Sequence, residues 1–338
     1  MKQEYAIVIG RFQPFHLAHQ QLLDKAFETA ERVIVILGSH QAALTSKNPW
    51  SSGDRVKMIE KCLSEEQSQR LTFVTIRDYL YNDNAWVSEI QQKVKIITDG
   101  SKSVVLVGHL KDDSSYYLSM FPQWDFLEVT PRLQLSATDI RHKLFATDDI
   151  SSVIYSVPDP VWKFLYQWLD TPDFSRLRSE YDYLIAYKSR WAVAPYPVTF
   201  VTTDAVVIKS GHVLVGIRGG NPGKGLCALP GGFLNQHESI LDGCLRELRE
   251  ETKIRVKDHD LKKHLVSSHV FDHPDRSLRG RTITHAHFFD LGTGELPSVK
   301  GSDDIETAFW MPIGDVYSNE STFFEDHRDI IMYFLGQR

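Results

Sequence analysis

The chain has 338 residues, 42% of them apolar and 24% charged, with a formal net charge of −6 and a pI near 6.2. That length favours two domains over one, with apolar material for two separate cores, and the acidic balance argues against a general nucleic-acid binder while leaving room for a local basic pocket that holds phosphates. Three scattered cysteines, Cys62, Cys227 and Cys244, point to free thiols in a reducing compartment, and no uncharged stretch reaches the roughly 18 residues of a spanning helix, so a cytoplasmic protein is expected.

Up to about residue 150, strand-like runs alternate with helical patterns. YAIVIG (5–10) is followed by a helix over 17–30, RVIVILGS (32–39) by a helix over 53–63, and LTFVTIRD (71–78) by a helix over 84–98; SVVLVGH (103–109) and DFLEVT (125–130) come next. This βαβ order predicts a doubly wound, Rossmann-like parallel sheet, whose ligands bind at the carboxyl ends of the strands. His16 and His19, Gly38-Ser39-His40, Gly108-His109 and Ser136-Ala137-Thr138 all follow strands closely, so they are candidates for one crevice. Residues 151–197 change to two aromatic-rich helices, read as a connector. From 198 to 338 come shorter strands, TFVTTDAVVI, HVLVGIR, CALPGGFL, SSHVF, THAHFFDL and TAFWMPI, with a strongly charged helix over 239–252, which predicts an α+β domain.

In GRFQPFHLAHQQLL (10–23) two histidines stand three apart, with no cysteine in the stretch and no carboxylate before Asp24, so neither a metal-ligand set nor an acid/base pair is evident. A loop that leaves a buried strand and opens a helix presents backbone N–H groups and the positive helix end to an anion, and histidines on that turn add donors. An isolated H-x-x-H is better read as packed or solvated. Here a second phosphate-reading cluster, SATDIR (136–141), opens a later helix.

With GRFQPFH, NPW followed by Arg55, NDNAWV (82–87) and SATDIR, residues 5–145 resemble the H-x-G-H nucleotidyltransferase superfamily and, within it, the archaeal-type nicotinamide mononucleotide (NMN) adenylyltransferases; Ala18 stands where the motif has glycine. The resemblance implies transfer of AMP from ATP to the 5′-phosphate of NMN, giving NAD and pyrophosphate. The nucleophile is already an anion, so in-line positioning and charge stabilisation carry the reaction. It also implies that His16, His19 and Arg141 act catalytically on the ATP phosphates, and that Gly10, Arg11, Phe12, Asn48, Arg55, Asn84, Trp86, Ser136 and Thr138 bind ATP and NMN, with Mg²⁺ accompanying ATP. Trp86 would stack on the cationic nicotinamide ring; the competing reading is packing on the core face of the 84–98 helix. A flavin or pantetheine phosphate acceptor is the alternative that Trp86 argues against.

GGFLNQHESILDGCLRELREETKI carries the spacing G-x5-E-x7-R-E-U-x-E-E, with Gly232, Glu238, Arg246, Glu247, Leu248, Glu250 and Glu251. On a helix Glu247, Glu250 and Glu251 share a face, an arrangement of like charges that makes sense around divalent cations. This is the Nudix box, and residues 198–338 resemble Nudix hydrolases; Lys253 replaces the box's final glycine, so either it turns left-handed or the helix runs on. The resemblance implies Mg²⁺ or Mn²⁺ on Gly232, Glu247, Glu250 and Glu251, activating water against a pyrophosphate, with Asp304 as general base and Glu306 next. Arg276, Arg279 and Arg281 suit phosphate or terminal ribose contacts, or are solvated loop arginines.

An NMN adenylyltransferase-like domain (1–150), a helical connector (151–197) and a Nudix domain (198–338) together resemble the bacterial bifunctional NMN adenylyltransferase/Nudix hydrolases, whose second activity cleaves ADP-ribose to AMP and ribose 5-phosphate. The expected partners are ATP, NMN and ADP-ribose, with no nucleic acid or membrane and with homo-oligomerisation left open. The alternative makes the C-terminal domain act on another nucleoside diphosphate derivative or sense a metabolite.

Overall fold

An unbroken run of buried residues from Val33 to Leu37 marks a strand covered on both faces. In the computed structural model, which describes residues 2–110, 113–147 and 150–336, it is the second strand of a five-stranded parallel sheet. The strands are β1 (Gln3–Gly10), β2 (Ala30–Leu37), β3 (Leu71–Thr75), β4 (Val104–Gly108) and β5 (Asp125–Glu128), in the spatial order β3-β2-β1-β4-β5. Around them lie α1 (Leu17–Thr29), α2 (Ser52–Glu60), α3 (Glu65–Gln69), α4 (Asp83–Ile97), α5 (Ala137–Thr147) and α6 (Asp159–Trp168). Ile7, Ile34, Ile36 and Leu106 pack against Ile90 and Val94 of α4. The strand order reverses between β1 and β4, and a crevice opens at their carboxyl ends at such a point. Gly10 ends β1 there, so the loop that leads to His16 at the N-cap of α1 and His19 in its first turn leaves the sheet at the switch.

The chain divides into two units, Met1–Arg178 and Ser179–Arg338, with α7 (Pro172–Trp191) running across the division. Several of the aromatic residues of 151–197 are packing surface, while Tyr155, Tyr166 and Tyr196 are exposed. Trp168 meets Trp50, Phe145 and Phe174 in the first unit, while Tyr187 and Trp191 meet Phe200 in the second.

The second unit is a mixed, seven-stranded sheet of β6 (Phe200–Lys209), β7 (His212–Arg218), β8 (Cys227–Ala228), β9 (Gly231–Phe233), β10 (Leu265–Phe271), β11 (Thr282–Asp290) and β12 (Ile305–Pro312). Its helices are α8 (Ile240–Thr252), α9 (Asp258–Lys263), α10 (Ile313–Ser318) and α11 (His327–Gly336). Strand alternation sends Ala205 and Val207 of β6 toward Cys244, Leu245 and Leu248 of α8, and Val206 and Ile208 toward Ile330, Ile331 and Phe334 of α11. The helix ends at Lys253, which takes the left-handed conformation (φ 46°, ψ 31°), at a cost of about 1 kcal/mol for a side chain with a Cβ. Among the described residues no helix is long and apolar enough to cross a membrane.

Candidate active sites

His16 is the N-cap of α1, and it and His19 cap each other: the Nδ1 of each accepts the backbone N–H of the other at 3.4 Å. Their rings stack with centroids 3.6 Å apart at 15°. A neutral imidazole whose Nδ1 accepts carries its proton on Nε2, so this double cap turns both rings into Nε2–H donors. Burial, and then His16 beside it, hold the His19 imidazolium well below its ordinary range. His19 is therefore a neutral donor near neutrality.

Beside the histidines, the Gln13 side chain is bonded to both backbone groups of Trp50, accepting its N–H at 3.1 Å and donating to its carbonyl at 2.8 Å. Arg141, buried in α5, donates to the Gln13 carbonyl at 2.6 Å and to Thr138 Oγ1 at 3.1 Å. These bonds tie the first turn of α5, with Ser136 just before it, to the loop after β1. Burial and the neighbouring Arg11 bring Arg141 down to about 10. Two guanidinium groups that repel each other in this way favour a bound anion.

Trp86, on the first turn of α4, is half-buried, with Tyr117 edge-on at 5.8 Å and Phe121 at 5.9 Å. Asn84, two residues earlier, is exposed. Asn48 keeps a buried Oδ1 that meets no donor among the described residues, an orphan acceptor that a ligand amide would satisfy.

In the second unit α8 delivers its carboxylates to a cavity of about 210 Å³. Arg246 organises them, bonding Glu238 through two nitrogens at 2.7 and 2.9 Å, Glu247 at 2.8 Å and Glu250 at 2.9 Å. Glu251 is 4% exposed and accepts the Gly231 N–H at 2.9 Å; burial drives its carboxyl up to about 8. Burial raises Glu247 as well. A Cβ on Gly232 would lie 2.6 Å from Glu247 Oε1, so only glycine lets that carboxylate come so close to β9. With Arg246 holding Glu247 and Glu250, no three acidic, histidine or cysteine side chains among the described residues converge on one point. The donors are all hard oxygens, and buried carboxylates with raised affinity for a proton suit a divalent cation in its place.

Residues 7–143 match the cytidylyltransferase-like family model and residues 199–334 the NUDIX domain model. The chain is 38% identical over 181 residues to the nicotinamide/nicotinic acid mononucleotide adenylyltransferase of Acinetobacter baylyi, covering 94% of that protein and 53% of itself. The crystal structure of a bifunctional NMN adenylyltransferase/ADP ribose pyrophosphatase from Francisella tularensis, with AMP and a manganese ion, superposes with a TM-score of 0.93 at 34% identity, over 99% of both chains. The chain belongs to the bifunctional NMN adenylyltransferase/ADP-ribose pyrophosphatase family. In this family member both units carry the expected architecture, a Rossmann-like parallel sheet and a mixed Nudix sheet.

Four sequence expectations change in this adenylyltransferase/pyrophosphatase. Arg55 is 0% exposed and donates to the carbonyls of Arg11 and Gly38 at 2.7 Å and of Ser39 and Ser51 at 3.2 Å, so it holds loops together instead of reaching substrate. Arg276 lines the cavity but is committed to Asp326 through two 2.8 Å bonds. Arg281 bonds the Asp272 carbonyl and does not line the cavity; neither does Glu306, the second choice for the base. Arg279 and Asp304 do line it, as do Gly232, Glu247, Glu250 and Glu251. Missed entirely were Arg218, Phe233, Phe324 and His327. They lie on three separate segments, the end of β7, β9 and the turn before α11, and only Phe233 falls within the quoted box, so no spacing could have joined them.

Proposed function

We propose that the first unit transfers AMP from ATP to NMN, giving NAD and pyrophosphate, and that the second hydrolyses ADP-ribose to AMP and ribose 5-phosphate. The observation that carries the first half is the reciprocal histidine cap at the β1 switch point, in which each Nδ1 accepts the other residue's backbone N–H and the ring proton is left to Nε2. In this reading His16 and His19 hold ATP phosphate oxygens, Arg11 and Arg141 neutralise the triphosphate, Ser136 and Thr138 add donors, and Gly10 and Phe12 shape the loop. Trp86 stacks on the nicotinamide ring, with Asn48 and Asn84 as amide contacts. No general base is needed, because the NMN phosphate is already ionised.

For the second half, Glu247, Glu250, Glu251 and the Gly232 backbone would hold Mg²⁺, or Mn²⁺ in its place. The cation supplies charge neutralisation and an activated water. Asp304 takes the water's proton, and Arg279 binds the substrate's phosphate or ribose. The division of labour follows the chain: 1–150 for transfer, 151–197 as helical connection, 198–338 for hydrolysis. The setting is the cytoplasm, with small molecules and no nucleic acid as partners.

Incubation with ATP, NMN and Mg²⁺, and separately with ADP-ribose and Mg²⁺, followed by product identification, tests both halves. NAD in the first mixture and AMP in the second are expected. Absence of either product removes that half.

A further inference from the structure

The segment Phe323–Arg328 is pinned at successive residues around a left-handed, non-glycine turn at Glu325 (φ 46°). Phe324 N–H donates to the Cys227 carbonyl at 2.8 Å, and its ring fills the place a side chain on Gly223 would take, a Cβ there lying 2.2 Å from it. Glu325 accepts from Ser277 Oγ at 2.8 Å and from Leu278 N–H at 3.1 Å, and Asp326 is paired with Arg276. A strained turn persists only where its surroundings over-determine it. Its product is the position of His327.

His327 is 7% exposed and lines the cavity. Its Nδ1 accepts the Leu229 N–H at 2.9 Å, which leaves the proton on Nε2. Among the described residues no acceptor takes that proton, and Nε2 is not one of the sealed polar atoms, so the donor opens on the cavity. Three guanidinium groups act on it electrostatically: Arg276, which is held by Asp326, and two others, Arg218, over the Phe324 ring at 4.3 Å, and Arg279, over Phe233 at 5.2 Å and Phe324 at 5.9 Å. Arg218 is also within electrostatic reach of Glu251 and Asp304, and lines the same cavity as the carboxylates and the histidine.

We infer that His327 Nε2–H, with Arg218, binds an oxygen of the substrate's diphosphate next to the carboxylate site. The inference rests on ADP-ribose being the substrate of this unit. Burial, helped by the surrounding arginines against the pull of Asp326, holds the imidazole down at about 3, so the donor stays neutral at working pH. A neutral donor in the same cavity as two guanidinium groups adds a bond to an anion without adding charge repulsion. A phosphate oxygen is the acceptor that such a group of three would take.

The test separates the two nitrogens of the ring. In His327→Asn the amide oxygen takes the Nδ1 position and can accept from Leu229, while the Nε2–H donor is lost. Affinity for ADP-ribose, measured by titration calorimetry in EDTA so that no hydrolysis occurs, should fall about ten-fold or more, the loss expected for a bond to a charged group. The thermal midpoint should stay within a few degrees of wild type. A second readout uses the unaltered protein: the ¹⁵N–¹H signal of His327 Nε2 should shift when ADP-ribose is added in EDTA. If wild type neither binds nor cleaves ADP-ribose, the reading of the site fails and takes this inference with it. If wild type does both, while His327→Asn binds equally well or the Nε2 signal does not move, the inference alone is overturned.

Discussion

The Phe12 ring occupies the space beside Gly10 where a side chain would stand: a Cβ on Gly10 would lie 2.9 Å from Phe12 Cζ. Phe12 is itself left-handed, at φ 53°, is 3% exposed, and meets His19 edge-on with ring centroids 4.9 Å apart. Gly10→Ala should therefore push the Phe12 ring onto His19 and disturb the mutual cap. We expect NAD formation to drop about ten-fold or more, since a shift of about 1 Å at a positioning site is costly, with ADP-ribose hydrolysis unchanged. Steady-state assays of both activities on the one variant decide it.

His19→Ala removes one of the two Nε2–H donors and should lower adenylyl transfer by about 10²–10³, while sparing hydrolysis. Glu251→Gln should do the reverse, because the change keeps size and removes a negative oxygen donor. Circular dichroism serves as the folding control. Loss of both activities in either folded variant would show that the two chemistries are coupled.

Trp86→Ala should weaken NMN binding by roughly 1–2 kcal/mol through lost cation–π contact and area, with ATP binding little changed. Its present contacts with Tyr117 and Phe121 give the opposing account, in which the residue only packs. Titration with NMN and with ATP separates them, since a packing residue would leave the NMN constant as it was.

The three arginines near 280 should behave differently from one another. Arg279→Ala is expected to raise KM for ADP-ribose more than it lowers kcat, the pattern of lost ground-state binding. Arg281→Ala should leave both constants alone. Arg276→Ala removes the guanidinium paired with Asp326, whose side chain is 0% exposed, and should cost about 3–5 kcal/mol of stability in the second unit. Denaturant melts and kinetics on the three variants check the order.

Acid should destabilise the second unit through His327. Its imidazole sits at about 3 in the folded protein because it is buried, against roughly 6.5 when unfolded. The depressed group contributes its stability above the unfolded value and loses it as pH falls toward 3, because the unfolded chain takes up the proton first. From this group alone the slope between those limits is about 1.4 kcal/mol per pH unit. Unfolding free energies at a series of pH values should show a shallower fall for His327→Asn; equal slopes would mean the ring is protonated in the native state.

The sequence by itself determined the two architectures and the two motifs, because each depends on residues close together along the chain. Alternation of apolar runs with helical patterns gave the parallel sheet, and the box offsets put Glu247, Glu250 and Glu251 on one helix; the expected helix over 239–252 forms as Ile240–Thr252. Even the left-handed Lys253 was one of two outcomes the local pattern allowed. What only the tertiary structure decided is how each long side chain is spent. Arg55 answers carbonyls 17 and 44 residues away, Arg276 a carboxylate 50 residues away, and His327 an N–H 98 residues away. A guanidinium or imidazole reads the same in sequence whether it meets substrate or backbone. Folding separates the two cases, since a buried charge or donor must find its partner wherever the chain places one.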